Sequence, residues 1–268
     1  MAIEIRPIRT KDEYRAVEQL QRQVWGLEDA EIVPDHLLLT AQKNGGLVLG
    51  AFDISPGGED EQLVGFVFGF AGLSPAGRLK HCSHMTGVAP AYQNRRLGYR
   101  LKLAQREHVL AQGIDLITWT FDPLESRNAS LNFHKLGATC QTYLRDLYGS
   151  MRDALNVGLP TDRFQVEWSI DSEGRELSPH SRSATWSLAM CHSRPPQISL
   201  PIQGDRLLIQ IPAYFQAIKA THIELARAWR LHTRVLFEAA FAGGYVVTDL
   251  LFAEGQSCYL LEKDWTPL

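Results

Sequence analysis

The stretch that most constrains this chain runs from Met85 to Arg106. An alternating segment there meets Pro90, passes through the basic turn Gln93-Asn94-Arg95-Arg96-Leu97-Gly98 and opens a long helix. The first amides of such a helix have no partner within it, and the aligned peptide dipoles put roughly half a positive charge at that end. A helix start of this kind can hold an anion with its backbone alone. At about 100° per residue Leu97, Leu101, Ala104, His108 and Ala111 share one stripe. Arg95, Lys102 and Arg106 point the other way, and Gly113 supplies a stop. The stripe predicts a helix over 95–112 docked on an apolar layer.

The rest of the composition is that of a soluble globular chain. With 268 residues, 45% of them hydrophobic and 21% charged, it is long enough for one large core or two modest ones. A net charge of −3 supplies no general basic field, so no nucleic-acid partner is expected. Cys82, Cys140, Cys191 and Cys258 are far apart in sequence and lack metal-ligand spacing, which predicts free thiols in a reducing compartment and no metal. The start lacks an apolar signal core, and no run reaches the roughly 20 apolar residues of a membrane span. The expected location is cytoplasmic, with no membrane partner.

The periodicities give an order of elements. A strand is predicted over 3–8, then a helix capped by Thr10, with Glu13 completing a capping box, and a second helix after Pro34. Strands follow over 47–53 and 63–70, joined by a turn-rich segment over 55–60, and another over 80–88. After the long helix come a strand over 115–121, a short helix over 126–136 ending at Gly137, and a strand over 140–148. Beyond residue 150 the pattern predicts strands over 163–170 and 206–211 around a polar, loop-like 171–197. Phe215, Ile218, His222, Leu225, Trp229 and Leu236 then predict one long helix ending near Gly243, followed by strands over 245–252 and 257–261.

The turn and the element order together resemble the GNAT acyltransferase superfamily, whose pyrophosphate loop is Gln/Arg-x-x-Gly-x-Gly/Ala. Here the loop is Gln93-x-x-Arg96-x-Gly98, so an arginine stands where the family has its first glycine. The resemblance covers 1–150 and implies an α/β fold, an α+β mixed sheet, with acetyl-CoA or another acyl-CoA as co-substrate and no metal. Residues 151–268 are then a C-terminal αβ extension, readable as a degenerate half of the same fold packed on the core. Phe164 to Trp168, Ser83-His84-Met85 and Asn132 to Gly137 are similar to a bacterial branch of predicted acyltransferases with such an extension.

The resemblance also assigns roles. Gln93, Asn94, Arg95, Arg96, Leu97, Gly98 and Tyr99 would cradle the diphosphate. The backbone of Thr86 and Val88 would pair the pantetheine arm where the core strands splay, and Asn128 would help to hold that arm. An amine of lysine-like basicity, pKa about 10.4, is almost wholly protonated at pH 7, so transfer needs a base. His84, nine residues before Gln93, matches a histidine implicated in deprotonating the acceptor in arylalkylamine-type members. His81 falls on the opposite face and is expected to be structural or exposed, and Cys82 to be a structural thiol. The family's usual acid is the tyrosine of Tyr-x-x-x-Gly, but here Phe133 precedes Gly137. His134 is the alternative acid, a helix residue rotated by about 100° from that position. Tyr143, Tyr148 and Glu125 are weaker candidates.

These residues point to an acyl-CoA-dependent N-acyltransferase acting by direct attack on a small-molecule amine such as an amino acid, as a monomer or homodimer. Acetyl is the default donor. A succinyl donor, or an acceptor carboxylate, would suit Arg145, Arg152 and Arg163. Two alternatives stand beside it: a catalytically silent acyl-CoA-binding module and a protein lysine acetyltransferase.

Overall fold

A computed structural model of the chain describes residues 2–55, 60–149, 151, 156–170, 195, 204–253 and 256–265. Most of the segment 171–197, together with Arg152 and Cys191, lies outside the described residues. By contact the chain forms two units, 1–119 with 152–155 and 169–171, and 120–151 with 156–168 and 172–268.

The first unit is a five-stranded mixed sheet in the order β1-β2-β3-β4-β5. The strands β1 (Ala2–Pro7), β2 (Leu47–Ile54), β3 (Glu61–Leu73) and β4 (Leu79–Val88) pair antiparallel, and β5 (Leu116–Phe121) joins β4 in parallel. Alternation along β2 and β3 sends Val48, Phe66 and Phe68 to one face. There they pack on Tyr14, Val17 and Leu20 of α1 (Lys11–Trp25) and on Leu38 of α2 (Asp35–Lys43). The opposite face, with Leu47, Leu49 and Val67, receives Leu97 and Leu101 of α3 (Leu97–Ala111). The predicted capping box is present at α1. Thr10 accepts from the Glu13 amide, and the Glu13 carboxylate accepts from the Thr10 amide at 3.2 Å.

Lys102 departs from its sequence reading. The buried residues of α3 are Leu97, Leu101, Lys102, Gln105 and Val109, so Lys102 turns inward although the apolar stripe placed it outside. Polar groups of β4 line that side of the helix and give the amine partners that one-dimensional periodicity does not register.

The second unit holds the end of β5, α4 (Ser126–Ala129) and the strands β6 (Thr139–Leu144), β7 (Arg163–Ser169), β8 (Arg206–Ile211), β9 (Tyr245–Ala253) and β10 (Gln256–Lys263), in the order β7-β6-β9-β10-β8. Its core is aromatic. Phe164 meets Phe121, Tyr143, Phe237 and Tyr259 at ring distances of 4.6–5.9 Å. The contact boundary falls inside β5 because Phe121 belongs to this cluster and Ile117 to the first unit.

Three predicted elements change here. The long helix is two, α5 (Phe215–Thr221) and α6 (Ile223–Ala242), broken at His222 with φ −145° and ψ 77°, within the weak helix-forming run Thr221-His222-Ile223. The strand predicted over 140–148 stops at Leu144, because Asp146, at φ 44°, turns the chain and accepts from the Thr161 amide at 2.9 Å. The helix over 126–136 passes into a π-helical turn, Ser130–Lys135.

Candidate functional site

Strand β4 builds the site. On one edge it pairs with β3, but Phe68 faces Met85 while Gly69 faces Ser83, so His84 is the extra residue of a β-bulge. On the other edge it pairs with β5 through His81–Ile117 and Cys82–Thr118 and then parts from it. A fork opens at that point. The Ala89 amide bonds to Val64 on β3 at 2.9 Å, and strand alternation therefore turns the N–H and C=O of Val88 and Thr86 toward the open edge. Val88 also accepts a bond from Gln93 Nε2 at 3.3 Å.

The open edge leads into the anion seat. A short 3-10 turn, Pro90–Tyr92, is tied down by the Tyr92 hydroxyl donating to Asp53 at 2.6 Å, and the Arg95 guanidinium lies 5.1 Å from the Tyr92 ring. Asn94 and Arg96 both take the left-handed conformation, at φ 65° and 59°. Arg96 thus occupies a backbone region that suits glycine, at the position where the loop pattern has one. Among the described residues no side chain caps α3, and its first backbone bond runs from Arg100 to Arg96, which leaves the amides of Leu97, Gly98 and Tyr99 at the helix mouth. The residues present fit a diphosphate: open amides, a positive dipole end and a turn that carries Arg95 and Arg96.

His84 lies on the α1 and α2 face. Its ring is 5.7 Å from that of Phe68 and 6.1 Å from that of Phe70, and Phe70 is 39% exposed. The ring keeps an exposed edge, while the groups packed around it hold its pKa below the usual 6.5. His81, on the opposite face, is fully buried and meets Gln105 at 3.1 Å, with burial pushing its pKa down to about 4. It is therefore not the exposed residue that was one of the two expectations for it. Gly69 makes room for it, since a Cβ there would sit 2.2 Å from His81 Nε2. Lys102 Nζ, which sequence reasoning missed, donates to Ser83 at 2.9 Å and to Gln105 at 3.1 Å and lies 3.8 Å from the Trp119 ring centre. Its burial, with 3% of the residue exposed, drives its pKa down to about 7.

The other candidates belong to the second unit. Phe133 is 1% exposed and packs against Phe121 and Tyr259, so its position offers no proton donor. The π-helical turn shifts the local register, and His134 Nδ1 meets Asp249 at 3.1 Å. Asn128 is exposed on α4. Glu125 accepts from Gln216 at 2.5 Å, and burial raises its pKa. The Tyr143 hydroxyl donates to Asp162 at 2.7 Å, and that of Tyr148 meets Thr120 at 2.8 Å. Two arginines expected near an acceptor carboxylate are already engaged: Arg145 pairs with Glu238, and Arg163 donates to Asn156 at 2.6 Å and to the Asp162 carbonyl at 2.9 Å. Among the described residues no cluster of three His, Cys, Asp or Glu could hold a metal, and no helix is long and apolar enough to cross a membrane.

No protein-family profile and no curated protein matches the chain. Solved structures do. NAA60 of Arabidopsis thaliana, in complex with a bisubstrate analogue, superposes with a TM-score of 0.50 at 17% identity, over 63% of this chain and 99% of that one. Its complex with acetyl-CoA gives 0.50 at 16% identity over the same shares. The ribosomal-protein-S18-alanine N-acetyltransferase of Escherichia coli gives 0.47 at 16%, over 66% and 99%. The fold is that of the GNAT acetyltransferases. Within the GNAT fold of this chain the fork, the bulge at His84 and the uncapped mouth of α3 are consecutive features of one strand–turn–helix run.

Proposed function

We propose that this chain is an acyl-CoA-dependent N-acyltransferase that moves an acyl group, acetyl by default, directly onto the amine of a small molecule. One observation carries the reading: β4 leaves β5 after Cys82, turns Thr86 and Val88 to an open edge, and runs straight into the uncapped amides of Leu97, Gly98 and Tyr99. That run offers strand-like pairing for an amide-bearing arm and backbone donors for a diphosphate. The bound acyl-CoA supplies an activated thioester. The likeness to a fold solved with acetyl-CoA supports the same co-substrate.

His84 is the base. Its pKa lies below 6.5, so it is neutral at pH 7 and can take the proton that a protonated amine must lose before it attacks. The half-exposed Phe70 ring beside it favours an acceptor that carries an apolar group next to its nitrogen. With Arg145 and Arg163 engaged inside the second unit, an acyl or acceptor carboxylate has less support than an uncharged one.

A second reading is a silent acyl-CoA-binding module, favoured by the buried Phe133 in place of a tyrosine donor. One experiment separates the two. Thiol release from acetyl-CoA and succinyl-CoA is measured against a panel of amines and amino acids, with calorimetric binding of each thioester alongside. Turnover is expected with an apolar amine. Binding without release on any acceptor would instead establish the silent module, and no binding would end both readings. In His84→Ala, kcat/KM should fall by about 100-fold, with the loss of the acid limb that the parent has below pH 6.5.

A further inference from the structure

The Lys102 amine takes no part in the reading above, yet it occupies the base of the fork. Ser83 is the first residue of β4 beyond the last pair with β5, and Trp119 is the first of β5 beyond that same pair. Nζ touches both, at 2.9 Å from Ser83 Oγ and 3.8 Å from the Trp119 ring centre. Its third neighbour, Gln105 Oε1 at 3.1 Å, links it to His81. Among the described residues no carboxylate pairs with it. The groups around it are His81 and Ser83 from β4, Trp119 from β5, and Gln105 on its own helix, with His108 farther along that helix. A lysine buried without a counter-ion is costly to the fold and is ordinarily replaced by an apolar residue.

The direction of the site gives it a use. On the proposed function, on which this inference rests, the diphosphate lies at 97–99 and the arm passes Val88 and then Thr86, so its thioester end is led back along β4 toward Ser83 and the fork. We propose that Lys102 is the catalytic acid of the transfer, donating a proton from Nζ to the departing CoA sulfur. As the acceptor nitrogen bonds to the acyl carbon, the C–S bond breaks and its electron pair goes to sulfur. The Nζ proton then forms the S–H bond, the proton released by the acceptor nitrogen passes to His84 and from it to solvent, and Lys102 is reprotonated from solvent after CoA leaves. With its pKa near 7, Lys102 keeps a usable proton at neutral pH, and transfer to a thiolate of ordinary pKa about 8.5 runs downhill. The task falls to α3 because Phe133 cannot perform it.

The test follows the sulfur itself. The thiolate absorbance of CoA bound to the parent protein is titrated against pH and compared with free CoA, Lys102→Met and Lys102→Arg. At pH 7, where part of Lys102 is charged, an ammonium facing the sulfur should raise the thiolate fraction about five-fold over free CoA in the parent, further in Lys102→Arg, which stays charged, and not at all in Lys102→Met. Above pH 8 the parent curve should rejoin that of free CoA as Lys102 loses its proton, while that of Lys102→Arg stays about one pH unit lower. A parent with no thiolate excess at pH 7 overturns the proposal even if the variants fail to fold, and equal excesses in the parent and Lys102→Met overturn it as well. Failure of the parent to bind CoA would strike the proposed function instead.

Discussion

Arg96 sits in a left-handed backbone that costs an arginine about 1 kcal/mol and a glycine almost nothing. Arg96→Gly should therefore raise stability in urea by up to about 1 kcal/mol, less whatever the freer unfolded chain takes back. Calorimetry with CoA then tells whether the guanidinium also holds the anion: a weaker complex at unchanged stoichiometry assigns it that role. Gly69 is the opposite case, because its missing side chain is space for the His81 ring. A Cβ 2.2 Å from Nε2 and 2.6 Å from the Cys82 carbonyl has no easy relief, so Gly69→Ala should lose about 2 kcal/mol in the same assay. At this scale the sequence was partly legible. The loop residues and His84 stand out by type and spacing, but Lys102 does not. A lysine on a polar stripe looks solvated until the strands that supply Ser83 and Trp119 are in place.

Elements whose signals are local were legible end to end. Thr10 and Glu13 lie within one turn of each other, and the capping box forms as the sequence predicts. Thr10→Ala should cost about 1 kcal/mol by denaturant melting while CoA binding stays unchanged, since the cap bonds only within the first turn of α1. Features that depend on pairing were not legible in the residue pattern, and the fork was expected only from the family resemblance. The bulge at His84 exists only as a mismatch between β3 and β4, and the fork only as the point where β5 stops bonding. The break at His222 was hidden because the residues on both sides continue one apolar stripe, although Thr221-His222-Ile223 is weak helix-forming sequence. The π-helical turn carrying His134 depends on the register of Phe133 in an aromatic core assembled from strands distant in sequence.

For the whole molecule, two buried bases make large contributions to the dependence of stability on pH. Each binds its proton less readily folded than unfolded, so each makes stability rise with pH between its two pKa values. For Lys102 that window runs from about 7 to 10.5, and for His81 from about 4 to 6.5. Lys102→Met should flatten the alkaline part of the profile and melt higher than the parent at pH 7, although it loses turnover. Acid unfolding should begin as pH falls through the His81 window, with up to about 3 kcal/mol at stake. A melting series from pH 4 to pH 10 on parent and variant checks both. The bulge has a different consequence, for redesign. Since no residue of β3 is paired with His84 across the ladder, the backbone register on either side of it does not depend on that side chain, and its ring meets β3 only through Phe68 and Phe70. That makes position 84 the place to install a new base or nucleophile, provided that it can rest on those two rings.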